Sequence, residues 1–240
     1  INNFFSAVAI CANSRSSKVV SIAKQCKEVL ESKNIKIYYD KNFNILNSKD
    51  FEIKSEKEII KRSDLIIAIG GDGTMLDCSR KYGAEVPFIR PVSLAQDSTP
   101  DQPVLCHTLD WLEGNENYVP DIILHLQLTT PFKTPTLLTQ VIDRMHHDPE
   151  VNLVSTMTKC EGVFHPYWMY RTSENGRAEP FIEGVKISEY YQSQLLPPAY
   201  RLNGVVDAIR PRILYQSNRY REEKNTALVE VSEQIAMDID

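Results

Sequence analysis

An apolar run, Leu65-Ile-Ile-Ala-Ile69, passes directly into Gly70-Gly71-Asp72-Gly73-Thr74 and then into residues of helical periodicity through about Tyr82. A short continuous apolar run between turn signals reads as a strand covered on both faces, which is the habit of parallel sheets. A strand that turns at once into a helix implies a βα unit, so a parallel sheet with helices on its faces is expected. Three glycines in four positions, out of nine in the whole chain, mean that the backbone turns with positive φ or is approached closely. Exposed amides at a helix N-terminus form a ready anion site. Asp72 is a poor phosphate ligand and suits a hydroxyl, a metal or a proton-accepting role. The plainer alternative is a tight strand–helix turn in which Asp72 caps the helix.

The flanking pattern continues this alternation. Residues 6–12 read as a strand, 18–33 as a helix capped by Ser16 or Ser17, 35–39 as a strand and 55–62 as a short helix. The first helix is expected to carry Val19, Ile22, Ala23, Cys26, Val29 and Leu30 on one face. Downstream, 87–103 is a proline-bearing loop, 104–113 and 136–145 are helical, and 122–126, 152–156 and 227–231 are strands. Residues 159–204 are weakly periodic and read as long loops or an excursion able to mediate dimerisation. The expected fold is α/β: one three-layer α/β/α unit on a mostly parallel, Rossmann-like sheet, with a loop-rich excursion.

Composition divides the chain. All 13 prolines lie from Pro87 onward, while 11 of 15 lysines lie at or before Lys81. Residues 1–83 carry 14 basic against 10 acidic side chains, and 84–240 carry 13 against 22. Folding alone hardly demands such a break, so the chain reads as two segments of different origin, 1–83 and 84–240. A lysine-rich surface arising by chance is the bland alternative. The overall charge of −5 leaves no basic footprint for nucleic acid. No run reaches the ~18 apolar residues of a membrane span. The opening at Ile1 shows no signal-peptide pattern, which implies a cytoplasmic, trimmed or fragmentary chain. Cys11, Cys26, Cys78, Cys106 and Cys160 lack CxxC spacing and read as reduced, mostly buried thiols.

The segment Asp64-Leu-Ile-Ile-Ala-Ile-Gly-Gly-Asp-Gly-Thr-Met-Leu76 closely resembles the nucleotide loop of the NAD kinase family. The resemblance covers about residues 6–82. It implies a catalytic role for Asp72, a phosphate site shaped by Gly70, Gly71, Gly73 and Thr74, and ATP and NAD as substrates. The family's later β-rich domain and its Asn-Glu dinucleotide site have no counterpart here.

From Tyr82 the chain resembles a different family, the acylneuraminate cytidylyltransferases. The likeness rests on Tyr82-Gly-Ala-Glu-Val-Pro-Phe-Ile-Arg-Pro91, Gln127-Leu-Thr-Thr-Pro-Phe-Lys-Thr134, Leu196-Pro-Pro-Ala-Tyr-Arg-Leu-Asn-Gly204 and Met237-Asp-Ile-Asp240. It implies CTP and a sialic acid-like nonulosonic acid as substrates, with magnesium held by Asp238 and Asp240. Alternate residues of an extended segment point to one side, so two hard oxygen ligands there suit a magnesium ion on a triphosphate. A solvated acidic tail is the alternative. Gln127 and Asn203 are implied sugar-side contacts, Asn203-Gly204 being a turn by composition. Lys133 stands where the family usually has arginine, which keeps the charge and loses the bidentate fork.

One departure bears on activity. The family's glycine-rich basic loop around the CTP phosphates is replaced by Asn13-Ser-Arg-Ser-Ser-Lys18, which has no glycine. The expectation is therefore a cytidylyltransferase-like enzyme impaired in turnover. ATP-dependent phosphorylation of NAD and an inactive nucleotide-binding remnant are the alternatives. The NAD kinase-like segment is expected to fill the sheet positions of the missing cytidylyltransferase N-terminus. Adjacent His146 and His147 do not have metal-ligand spacing, and Trp168 and Tyr190 read as core or dimer-contact residues.

Overall fold

The computed structural model describes residues 5–12, 17–40, 52–69, 72–216, 220–222 and 224–238, with the backbone alone at 53, 72 and 222. The chain divides into two units, 1–91 and 92–240.

In the first unit, strand β1 (Ala7–Ala12) is small, apolar and buried along its whole length. It pairs in parallel with β2 (Lys36–Asp40) on one side and with β4 (Leu65–Ile69) on the other, while β3 (Ile53–Lys54) extends the edge beside β2. The order β3-β2-β1-β4 is all parallel, with the chain reversing its direction of winding at β1. Helix α1 (Ser17–Ser32) covers one face through Ala23, against Ile10, Ala12, Tyr39 and Ile69. On the other face Ile59 of α2 (Glu56–Arg62) and Tyr82, just past α3 (Asp72–Lys81), pack on Ala7, Ala9 and Tyr38. The two-residue period of β1 thus feeds both layers. Asn34, with φ 55°, closes α1 in the left-handed conformation, and Ile35 N–H donates to the Leu30 carbonyl. The apolar stripe of α1 is narrower than its sequence implies. Val19, Ala23, Cys26 and Leu30 face the sheet, whereas Ile22 and Val29 are exposed.

In the second unit, β5 (Ile123–His125), β6 (Leu153–Lys159), β9 (Tyr200–Ile209) and β10 (Thr226–Glu230) form a mixed sheet in the order β10-β6-β9-β5. β10 runs parallel to β6, and β9 is antiparallel to both its neighbours. Helix α5 (Pro135–His147) buries Leu137, Val141 and Met145 against Val154, Val206 and Ala208. On the opposite face Leu109 of α4 (Asp101–Glu116) and Ile213 and Leu214 of α6 (Arg212–Gln216) meet Leu153 and Ile209. The excursion contains a short hairpin, β7 (Tyr170–Thr172) with β8 (Ala178–Pro180), among 3-10 turns.

The α/β class and the Rossmann-like parallel sheet hold. The expected single continuous sheet does not: the strands are shared between two four-stranded sheets, each with helices on both faces. Asn203-Gly204 is not a turn but lies inside β9. All five cysteines are free thiols. No described helix is long and apolar enough to cross a membrane.

Candidate functional site

Where β4 ends, Gly70 and Gly71 lie outside the described residues, as does the Asp72 side chain; the backbone of Asp72 opens α3. Gly73 is exposed in the first helical turn, and a Cβ placed on it would meet nothing within 4 Å. Its bareness is therefore not a packing requirement of the protein. Thr74 is half-buried and faces inward.

Thr74 lines a cavity of about 180 Å³ together with Cys11 and Ala12 at the end of β1, Asp40 at the end of β2, and Asp77, Cys78 and Lys81 of α3. Carboxyl ends of parallel strands beside a reversal of winding are where doubly wound sheets take their ligands. Asp40 is buried, and its Oδ2 accepts from Lys81 Nζ at 2.6 Å and from the Tyr82 hydroxyl at 2.8 Å. Lys81 also pairs with Glu56 at 3.5 Å. Burial works against the Lys81 ammonium, but the hydrogen bond and charge of Asp40, with Glu56 behind, outweigh it and hold its pKa above the ordinary lysine value. Burial pushes the Cys11 thiol up to about 12, although its 3.2 Å contact with the Tyr82 hydroxyl acts in the other direction. Burial and the bonds to Cys11 and Asp40 raise Tyr82 as well. The cavity thus sets the raised thiols of Cys11 and Cys78 beside the Asp40–Lys81 ion pair, with Thr74 and Asp77 completing its wall. Asp40, Lys81 and Tyr82 escape a sequence reading. The only local signal is a lone acid ending a strand, and its partners are about 40 residues away.

The sugar-side residues expected in the second unit come together, but Lys133 and Asn203 already make side-chain hydrogen bonds within the protein. Asn203 sits where β9 bulges: Ser155 pairs with Asp207 and Met157 with Leu202, so residues 203–206 face Thr156 alone. The Thr156 hydroxyl fills that gap, lying 2.8 Å from Asn203 Oδ1 and accepting from Val206 N–H at 2.9 Å. Asn203 Nδ2 donates to Thr158 at 3.0 Å, and its Oδ1 also accepts from Val205 N–H. Lys133 Nζ donates to the Gln127 carbonyl at 2.5 Å, to Thr130 Oγ1 at 2.6 Å and to the Thr130 carbonyl, which matches its three N–H donors. Burial lowers the Lys133 pKa, and the charge of the exposed Asp238 partly restores it. The Gln127 carboxamide rests against Gly204, whose φ is +66°. Asp240 lies outside the described residues. Among the described residues no group of three or more His, Cys, Asp or Glu side chains is arranged to hold a metal ion. A magnesium ion there would draw on Asp238, with phosphate and water oxygens completing its shell.

Two further expectations resolve as structure rather than chemistry. His147 Nδ1 lies 2.7 Å from the Asp143 carbonyl within α5. Trp168 donates its indole N–H to the Tyr190 carbonyl at 2.7 Å, fastening the excursion to itself. A buried group that the sequence hides is Asp207, which accepts from Ser155 at 2.7 Å and pairs with Arg221 at 2.8 Å.

With this geometry in place, comparison with known proteins adds one family. Among curated proteins none matches the chain in sequence. Among solved structures, a CMP:2-keto-3-deoxy-manno-octonic acid synthetase in complex with CTP gives a TM-score of 0.43 at 10% identity, over 95% of this chain and 90% of that one. Mannosyl-3-phosphoglycerate synthase from Rubrobacter xylanophilus gives 0.26 at 13% identity, over 95% and 66%. Scores of this size do not bear on fold or function, and the Rossmann-like assignment stands on strand order. Residues 8–96, which hold the parallel sheet, the glycine-rich stretch from Gly70 to Gly73 and the cavity, match the model of the ATP-NAD kinase N-terminal domain.

Proposed function

We propose that the chain is a nucleotide-binding protein of the kinase type. The phosphates of ATP lie against the Gly70-Gly71-Asp72-Gly73-Thr74 turn, and Asp72 accepts the proton of the attacking hydroxyl of NAD. The single observation that carries this reading is the match of residues 8–96 to the ATP-NAD kinase N-terminal domain, on a parallel sheet that reverses winding beside that turn. Calorimetric titration with ATP and with NAD tests it. Saturable binding, with NADP formation lost in Asp72→Asn, is the expected result. No saturable binding of either nucleotide overturns it.

A second reading is transfer of CMP from CTP to a nonulosonic acid, with magnesium at Asp238 and Asp240. It is favoured by the gathering of Gln127, Gly204, Lys133 and Asp238 at one place in the second unit. Turnover by this route is expected to be very slow. Lys133 and Asn203 already direct their donors into the protein, and the glycine-free residues 13–18 cannot readily enfold a triphosphate. Losing one well-placed donor to a transition state lowers the rate about a hundredfold or more. CMP-sugar formation near ~10 s⁻¹, typical of enzymes, would overturn the expectation of impaired transfer.

A further inference from the structure

We propose that Asn175 is a site of covalent self-modification. The Gly176 backbone nitrogen displaces its side-chain amide, leaving aspartate or isoaspartate at the tip of the β7–β8 hairpin. The chain holds two Asn-Gly steps, Asn175-Gly176 and Asn203-Gly204. Glycine lets the following nitrogen swing onto the side chain with no Cβ in the way. By sequence the two steps are equivalent, and the structure separates them. The reaction needs only water. The Gly176 nitrogen gives its proton to solvent base and bonds to Asn175 Cγ; the carboxamide C–N bond breaks, and ammonia leaves with a proton from water. Hydrolysis then opens the cyclic imide at either carbonyl, giving aspartate or an isoaspartate whose backbone runs through the side chain.

Asn175 lies in the turn between Thr172 and Ala178, where every residue but Ser173 is exposed. Its Oδ1 faces the Ser173 hydroxyl at 2.7 Å and accepts from the Arg177 N–H at 3.3 Å. These donors stand at the oxygen on which negative charge develops as the nitrogen attacks Cγ. Gly176 has a φ of +76°, and its N–H donates to the Ser173 carbonyl at 2.9 Å, so attack follows the breaking of that turn bond. Every residue of β7 and β8 is exposed, and an isolated two-stranded hairpin is marginally stable in water, which keeps the barrier to opening low. Asn203 has the same neighbour and none of this freedom. It is half-buried inside β9, with Oδ1 held by Thr156 and Val205 and Nδ2 donating to Thr158 at 3.0 Å. β9 is paired on both sides, so Asn203 reacts only when the sheet opens. The product adds a carboxylate to a hairpin that carries the Arg171–Glu179 ion pair, and the isoaspartyl form lengthens the turn by a methylene, disturbing the register of β7 against β8.

The test incubates the full chain in mildly alkaline buffer, folded and in guanidinium chloride, and scores both Asn-Gly peptides by mass spectrometry. In the folded chain Asn175 is expected to convert about a hundredfold faster than Asn203, because Asn203 waits for β9 to open. In denaturant the two rates are expected to agree within about threefold, since the same step then sits in an unfolded chain. Comparable rates at the two sites in the folded chain, or an Asn175 that stays intact there, overturn the proposal.

Discussion

A Cβ placed on Gly204 would stand 2.3 Å from Oε1 of Gln127, in a backbone conformation that already disfavours any L side chain. Gln127 follows the end of β5, and Gly204 lies at the bulge within β9, the strand that pairs with β5. Gly204→Ala therefore combines a left-handed alanine, at about 1–2 kcal/mol, with a contact that the flexible Gln127 side chain can vacate. Urea unfolding should show destabilisation of that order. Adding Gln127→Ala should relieve only the steric part; full recovery would mean that the backbone conformation is unstrained.

The bulge is also held by a hydroxyl. In Thr156→Val the shape is kept, while Asn203 Oδ1 and Val206 N–H lose a partner at a buried position. Each buried polar group left unsatisfied costs about 1–3 kcal/mol, so a loss near 2 kcal/mol is expected. Faster hydrogen exchange at Val206 should accompany it. Unchanged exchange at that amide would remove Thr156 as the pin.

Lys81→Met removes the ammonium that stands 2.6 Å from the buried Asp40. Breaking a buried pair from one side costs about 3 kcal/mol, more than an exposed ion pair ever contributes. Chemical denaturation of the variant is the measurement, and a change under 1 kcal/mol would show that the pair is not what holds the carboxylate.

Alkaline conditions should weaken the first unit. Cys11, Tyr82 and Lys81 all hold their protons more tightly folded than unfolded. Stability from such groups is complete below their ordinary values and is lost as pH rises through the folded ones. For Cys11 that window opens at 9.0 and closes at about 12. Unfolding midpoints should fall steadily above pH 9, and a flat profile to pH 11 would contradict the shifts.

The same burial protects the thiol. At pH 8, alkylation of Cys11 by iodoacetamide should be on the order of 100-fold slower in the folded chain than in urea, since the thiolate is the nucleophile. Peptide mapping by mass spectrometry reads this directly. Equal rates would contradict the burial of Cys11.

The alternation of Ala7–Ala12, Leu65–Ile69 and the helices between them was legible because strand and helix periods are local properties of the chain. The glycine run after Ile69 was legible as composition, but Gly70 and Gly71 lie outside the described residues. The pairing of strands was not legible, because residues that share a sheet are far apart in sequence and many partners satisfy the same pattern. Only the tertiary structure decided that Leu153–Lys159 pairs with Tyr200–Ile209 in a second sheet, turning Asn203-Gly204 from a loop signal into a bulge. Only there do Asp40, Lys81 and Tyr82 meet. The three donors of Lys133 are likewise fixed by the fold of its loop, a matter of angles that spacing along a chain does not carry.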